Sequence, residues 1–540
     1  MKTPSSSLQP PSLEELRAMT PEALQALADK VKQELMQLSP GKKAHLESSL
    51  GVTELSIALH ARLNTPHDLL IWDVGHQAYV HKWLTGRAEE LLKMRTLHGI
   101  SGFPRREESL FDPFGTGHSS TSISALGGLA MADRLKGISR KYVAVIGDGA
   151  LTAGQAFEAL NHLSDLDLDL LVILNDNSRS LDLNVGALHH QRKYAAFFDA
   201  LNWNYTGPVD GHRMRQLLPA LEEVLEKGGL QLLHVQTRHP AFDRAQGSKV
   251  PKATGLMDFS EVFGACMQEM LEEGLDVAVV SPAMIEAAWL GDLRRRYPHR
   301  VFDTGITEQH AVTFSAGLAA GGHSVFCHLY SSFSQRAIDQ IIHDVALQHL
   351  PVTFVLDRAG ITGSDGPTHH GVFDVALFRS IPNMEIWDAA NGDMLSEILR
   401  YSLQHQGPLM VRIPKAETFR QVELDRMPIQ LFELVEGEGG IGRIVLGHAQ
   451  SLLPEQAFAG PMAIIHRVKP FPVREVHRFA KQLHSLEVWE DGSAIGGLWE
   501  ATAAAVADLG IRLIPRGVPD RFIAHGKPEE LWGEIHNNQE

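Results

Sequence analysis

The sharpest chemical signal in the sequence is Gly147-Asp148-Gly149-Ala150, directly after the apolar run Tyr142 to Ile146. A buried strand that ends in a glycine-rich turn is where open α/β sheets receive ligands. The glycines let backbone approach a phosphate, and the N-terminus of a following helix favours an anion. Twenty-nine residues beyond Asp148 a second apolar run ends in Asn175-Asp176-Asn177. Two neighbouring parallel strands would present Asp148 and Asn177 to one point. A carboxylate, an amide oxygen and a backbone carbonyl near Arg179 suit a hard cation such as Mg2+, which takes oxygen ligands and keeps phosphates in its shell. Taken singly, Gly-Asp-Gly reads as a tight turn and Asn-Asp-Asn as a helix cap. The paired spacing favours the metal–diphosphate reading.

This pairing resembles the metal–diphosphate motif of thiamine diphosphate enzymes. Such a cofactor carries the carbanion chemistry, while the protein sets geometry and electrostatics. It also needs a Glu hydrogen-bonded to its aminopyrimidine ring. The segment Gly305-Ile306-Thr307-Glu308-Gln309-His310-Ala311-Val312 offers one in Glu308, ahead of a helix rich in small residues. Ile306 would wedge between the two cofactor rings, and Phe333, in Tyr330-Ser331-Ser332-Phe333-Ser334-Gln335-Arg336, would stack on the pyrimidine. The bland alternatives are a capping Glu and a core aromatic.

The elements that must position these groups read as α/β throughout. A chain of 540 residues predicts two to four domains. Thr20-Pro21 marks a helix start, with Leu24, Leu27, Val31 and Leu35 on one face and Gly41 at its end. Apolar runs at 142–146, 170–174 and 232–235 form one set of buried strands. A second set is 277–280, 325–329, 352–356 and 409–413, and a third is 443–446, 463–465, 486–489 and 512–514. Irregular stretches at 238–256 and 415–442 separate the sets. They predict three domains, 1–240 binding diphosphate and metal, 255–415 binding the pyrimidine, and 435–540. Each is an open, mostly parallel sheet with flanking helices.

Composition narrows the function classes. A net charge of -16 argues against a nucleic-acid partner, which wants a basic surface. Two cysteines, Cys266 and Cys327, predict no disulfide framework and fit a cytoplasmic location. No apolar window approaches a membrane span. The Ser/Pro-rich stretch Met1 to Pro11 lacks the apolar core of a secretory signal and reads as a disordered tail.

Longer motifs extend the resemblance to nearly the whole chain, from about Ala44 to Pro528. They include Leu70-Ile71-Trp72-Asp73-Val74-Gly75-His76-Gln77-Ala78-Tyr79, Gly117-His118-Ser119-Ser120-Thr121-Ser122 and 147–161. Further matches are Asn184-Val185-Gly186-Ala187-Leu188, Gly207-Pro208-Val209-Asp210-Gly211-His212, 308–317, 330–339, and Asp357-Arg358-Ala359-Gly360 through His369, His370 and Asp374. On these the chain resembles the 1-deoxy-D-xylulose-5-phosphate synthase family. The resemblance implies a dimeric, transketolase-like fold with the cofactor between the first and second domains. It also implies decarboxylation of pyruvate and transfer of the two-carbon unit to glyceraldehyde 3-phosphate. Asp148, Asn177 and the Arg179 carbonyl would bind Mg2+. His76, Gly117, His118, Ser119, Gly149 and Ala150 would line the diphosphate and thiazolium side, with Ile306, Glu308 and Phe333 on the pyrimidine. His45 and His369 would face the reacting carbon, where imidazole relays protons near neutral pH. Tyr330, Arg336, Arg358, Asp365 and Arg412 would line the substrate channel, guanidinium suiting carboxylate and phosphate.

The sequence departs from the family pattern on the substrate side. A long insertion expected after Leu188 is absent. The Lys/Gly-rich turn expected after Thr237 is replaced by Arg238-His239-Pro240-Ala241-Phe242-Asp243. After Arg412-Ile413-Pro414 stands Lys415 where the family has a second Arg. These departures leave a related transketolase-type reaction, with another acceptor aldehyde or a ketose donor, as the alternative.

Overall fold

Runs that are apolar on both faces become the inner strands of parallel sheets. A computed structural model describes residues 9–38, 46–178, 184–238, 255–420, 431–453 and 460–537. It falls into two compact units, Met1–Ser248 and Lys249–Glu540. His45, Arg179, Gly41 and the first eight residues of the N-terminal stretch lie outside the described residues.

In the first unit β1 (Leu69–Trp72), β2 (Tyr142–Gly147), β3 (Leu170–Asp176), β4 (Asn204–Asp210) and β5 (Leu230–Gln236) form an all-parallel sheet. Its order is β1-β2-β3-β5-β4. Successive strand residues point to opposite faces. Val143, Val145, Leu171 and Ile173 accordingly pack against the helices Pro21–Leu38, Thr53–Arg62 and Met214–Glu226. Ala144, Ile146, Val172 and Leu174 pack on the other face against Ser122–Leu135 and Gly154–Leu163. The helix Pro21–Leu38 starts where the sequence places it, with Thr20 Oγ1 accepting the Ala23 N–H at 3.2 Å. The edge strand β4 carries no apolar run, because it is largely exposed and contains Gly207-Pro208.

In the second unit β6 (Met257–Asp258), β7 (Val277–Val280), β8 (Val301–Phe302), β9 (Ser324–Tyr330), β10 (Val352–Ala359), β11 (Glu385–Asp388), β12 (Leu409–Pro414) and β13 (Glu417–Thr418) come first. They are followed by β14 (Phe432–Val435), β15 (Ile441–Leu446), β16 (Met462–Ile465), β17 (Arg467–Lys469), β18 (Ser485–Ser493) and β19 (Arg512–Val518). One sheet runs β17-β11-β12-β10-β9-β7-β8, another β14-β16-β15-β18-β19, and β13 pairs with β6. The large sheets are parallel except at the edge strands β17 and β14. The C-terminal strand β17 joins the middle sheet beside β11, and one continuous apolar core holds side chains from both sheets. The three sets of strands are thus three sheets, and the last two share a core. Among the described residues no helix is long and apolar enough to cross a membrane. Cys266 and Cys327 are free and buried.

Candidate active site

The first unit delivers Asp148 and the Asn-Asp-Asn triplet from adjacent strand ends. Gly147 at the end of β2 pairs in register with Asn175 near the end of β3. Asp148 opens the short helix Asp148–Leu151 and is buried, its Oδ1 accepting the Gly149 N–H at 3.0 Å. Asn175 is locked from two sides. Thr237 Oγ1 donates to its Oδ1 at 2.6 Å, and its Nδ2 donates to Gln77 Oε1 at 3.1 Å. Asp176 is buried, with His234 Nε2 3.0 Å from Oδ2 and the Ser178 N–H 2.9 Å from Oδ1. Tyr205 Oη lies 2.7 Å from Nδ1 of the same His234. Burial, then the neighbouring Asp176 carboxylate, pushes the Asp148 carboxyl well above its usual range. Burial acts on Asp176 too, but hydrogen bonds from His234 and its neighbours outweigh it and hold that carboxyl down. Asp176 lies inside the Asn-Asp-Asn triplet, but its role depends on partners that sequence order does not reveal.

This arrangement fits a hard cation. Asp148 Oδ2 and both polar atoms of the Asn184 side-chain amide are buried without a geometrically satisfied hydrogen-bond partner among the described residues. Two adjacent buried carboxylates repel, and a divalent cation is what relieves such a pair. Asn177 is half-buried beside them.

The turn bearing Gly117, His118 and Ser119 is tied to the same place. Asp73, buried at the end of β1, accepts the Ser120 N–H at 2.7 Å and the Ser122 N–H at 3.0 Å. Ser120 sits at φ 74°, a strained conformation for a non-glycine residue, and its hydroxyl donates to the Ala150 carbonyl at 2.8 Å. Asp73 thus fixes the start of the helix Ser122–Leu135, and Ser120 joins it to the Asp148 turn. His76 enters on the short turn Gly75–Gln77, where Ser49 Oγ donates to its carbonyl at 2.8 Å. The preceding segment is anchored by buried Asp112, which meets His81 Nε2 at 2.8 Å and Arg87 at 2.6 and 3.0 Å.

The second unit carries Glu308 beside Arg336, and a cluster of Tyr330, Phe333, Arg358 and His369. Glu308 opens the helix Glu308–Ala320 and is buried. Arg336 Nη1 is 3.7 Å from its Oε2, beyond hydrogen-bond reach, so this oxygen is buried without a donor among the described residues. Burial raises its carboxyl above the usual range, and Arg336 opposes only in part. Ile306 precedes it in a turn set by Gly305 at φ 74°. Phe333 lies just past β9, stacked on Tyr330 at 5.4 Å and edge-on to His369 at 5.4 Å. Arg358 sits 4.2 Å over the Tyr330 ring at φ 59°, where β10 bulges. Tyr330 is 5% exposed beneath these groups rather than lining open space. His369 Nδ1 is 2.8 Å from Thr368 Oγ1, on the loop that carries Asp365.

Arg412 is a correction. Expected in a substrate channel, it is 0% exposed and every nitrogen is spent on protein carboxylates. Nε meets Asp374 at 2.9 Å, Nη1 meets Asp388 at 2.5 Å and Nη2 meets Asp491 at 3.0 Å. His448 closes the network, its Nδ1 2.9 Å from Asp388 and its Nε2 2.9 Å from Asp491. Asp388, His448 and Asp491 have a spacing that could hold a metal ion. A guanidinium and an imidazolium already sit on their oxygens, so this cluster is an ion network and not a cation site.

Comparison with known proteins extends these local observations. Residues 9–195 and 190–237 match the family model for 1-deoxy-D-xylulose-5-phosphate synthase, and residues 256–420 match the transketolase pyrimidine binding domain. The 1-deoxy-D-xylulose-5-phosphate synthase of Pseudomonas aeruginosa (strain LESB58) is 38% identical over 583 residues, covering 96% of this chain and 93% of that protein. The enzyme of the same name from Syntrophotalea carbinolica is 39% identical over 593 residues, with the same coverage. A solved transketolase from Campylobacter jejuni aligns with 96% of this chain and 98% of its own, at 15% identity and a TM-score of 0.43. The parallel α/β sheets, the paired strand-end carboxylates and the pyrimidine-domain match define a transferase of the transketolase-like class. Within that class, the chain belongs to the 1-deoxy-D-xylulose-5-phosphate synthase family.

Proposed function

We propose that this chain decarboxylates pyruvate and transfers the resulting two-carbon unit to glyceraldehyde 3-phosphate, giving 1-deoxy-D-xylulose 5-phosphate. The observation that carries the reading is Glu308, a buried carboxyl with an oxygen that no donor among the described residues satisfies. Burial raises its carboxyl above the usual range and so favours the neutral form, which can donate a hydrogen bond to a ring nitrogen. Thiamine diphosphate, held with Glu308 against its pyrimidine, would supply the electron sink that decarboxylation of a 2-oxo acid needs.

The chain's own groups divide the remaining work. Asp148 and Asn177, with the Arg179 carbonyl, would hold Mg2+, and Asp176 would orient Asp148. Gly149, Ala150, His76, Gly117, His118 and Ser119 would receive the diphosphate and thiazolium side. Ile306 and Phe333 would hold the pyrimidine. His369, oriented by Thr368, would move a proton at the reacting carbon, with His45 as its counterpart. Arg358 and Arg336 would bind carboxylate or phosphate, with Asp365 shaping the space and Tyr330 supporting Arg358 from beneath. The reading includes a three-domain organisation and a cytoplasmic homodimer. Half-buried Phe314 and Leu318, which line one shallow hollow on the helix Glu308–Ala320, support pairing of copies.

The burial of Arg412 favours one second reading, an altered acceptor, because it removes a cation from the acceptor side. Labelled pyruvate offered with a panel of aldehydes separates the two. Consumption of glyceraldehyde 3-phosphate alone supports the first reading. Preference for an unphosphorylated aldehyde supports the second and refutes the first.

A further inference from the structure

His369 and His370 are neighbours in sequence with different surroundings. His369 meets Phe333 edge-on, while His370 is buried. His370 Nδ1 accepts the Thr362 N–H at 3.1 Å, and its Nε2 lies 3.0 Å from the Ala524 carbonyl oxygen. A carbonyl only accepts and a backbone N–H only donates, so the ring is neutral with its proton on Nε2. One side chain therefore closes the loop on itself and pins it to the C-terminal segment 521–528.

The backbone around it leaves no slack. Gly363 and Gly366 have φ of 102° and 73°. A Cβ on Gly363 would lie 3.2 Å from the Gly526 carbonyl oxygen, and one on Gly366 would lie 3.1 Å from the His525 side chain. On the other flank a Cβ on Gly371 would lie 2.5 Å from Ser331 Oγ, next to the turn that carries Phe333. The loop is held between the C-terminal segment and the Phe333 turn, both within the second unit.

We propose that His370 is a positioning residue for the reaction, through which the C-terminal segment sets where His369 and Asp365 stand. The inference rests on reading this loop as part of the reaction site. It gives the C-terminal sheet a role in turnover beyond stability, since a misplacement of about 1 Å at a reacting group costs on the order of a hundredfold in rate.

The test compares wild type with His370→Ala and His370→Gln. The glutamine amide can accept from Thr362 and donate to Ala524, so it restores both bonds. Hydrogen exchange of 360–371, thiamine diphosphate affinity, melting temperature and pyruvate-dependent kcat and KM are measured on each. The expected result for His370→Ala is faster exchange in 360–371 and kcat lowered by about tenfold or more, with cofactor affinity little changed. His370→Gln should recover most of both. Unchanged kcat, or lowered kcat without faster loop exchange, overturns the proposal. Should His370→Ala not fold, Phe522→Ala loosens the same segment by removing a 77% exposed ring that meets Phe373 at 6.2 Å. Unaltered loop exchange and kcat in that variant also overturn it. If wild type itself turns over no pyruvate, the proposed function fails instead, and faster exchange in His370→Ala alone still identifies the clasp.

Discussion

Replacing Arg412 with Met removes one guanidinium and keeps a side chain of useful length. Three buried carboxylates, Asp374, Asp388 and Asp491, are then left with His448 as their only cation in the network. Breaking a buried pair by deleting one partner costs roughly 3–5 kcal/mol, because the remaining charge is desolvated and unpaired. At about 2–4 °C per kcal/mol for a unit of this size, the melting transition of the second unit should fall by roughly 6–20 °C. Calorimetry of Arg412→Met reads this directly. Burial raises the Asp374 carboxyl, so it is the network acid nearest to neutrality, and Arg412→Met with Asp374→Asn should recover part of the loss. Arg412→Lys should fall between, since one ammonium cannot reach three carboxylates in place of a fork. A melting temperature within about 2 °C of wild type, together with a KM for the phosphorylated acceptor raised about tenfold, would refute this account and return Arg412 to the substrate.

Three further outcomes follow from the same geometry. Asp148→Asn should weaken Mg2+ binding at fixed thiamine diphosphate by at least about tenfold, read by calorimetric titration, with the melt of the first unit unchanged or higher. Glu308→Gln should lower kcat by about a hundredfold or more while leaving stability intact, because burial already disfavours the charged form it removes. The third concerns His448. Burial disfavours its charge, but Asp388 and Asp491 outweigh that and push the imidazole from 6.5 up to about 10. Its folded value lies above its unfolded value, so its stabilisation is complete below pH 6.5 and lost as pH rises towards about 10. Urea midpoints should fall across that window in wild type and fall less in His448→Gln.

The proposed cofactor half of the site was legible because its chemistry follows from local order. A strand, a glycine turn and a carboxylate at Asp148, followed by a second strand ending in Asn175-Asp176-Asn177, bring these polar groups together whenever the two strands are neighbours, and β2 and β3 are neighbours. Glu308 was legible as the first residue of a small-residue helix. Arg412 misled because a strand-end arginine reads alike beside a substrate or inside an ion network. What decides is Asp374, Asp388 and Asp491, which lie 38, 24 and 79 residues away along the chain. The roles of Asp73, Asp176 and His370 were hidden for the same reason, each resting on long-range or backbone partners. Strand β4 escaped notice because an exposed edge needs no apolar run, and the core shared by the last two sheets depends on β17 crossing to β11.

The central claim is that Glu308, Asp148 and their neighbours serve decarboxylation of pyruvate and transfer of its two-carbon remainder. Its most direct test is release of carbon dioxide from carboxyl-labelled pyruvate with thiamine diphosphate and Mg2+, with and without glyceraldehyde 3-phosphate. The account predicts that with the aldehyde present, carbon dioxide and 1-deoxy-D-xylulose 5-phosphate appear in equal amounts, and that Glu308→Gln abolishes nearly all of both. No release of carbon dioxide under either condition would contradict it.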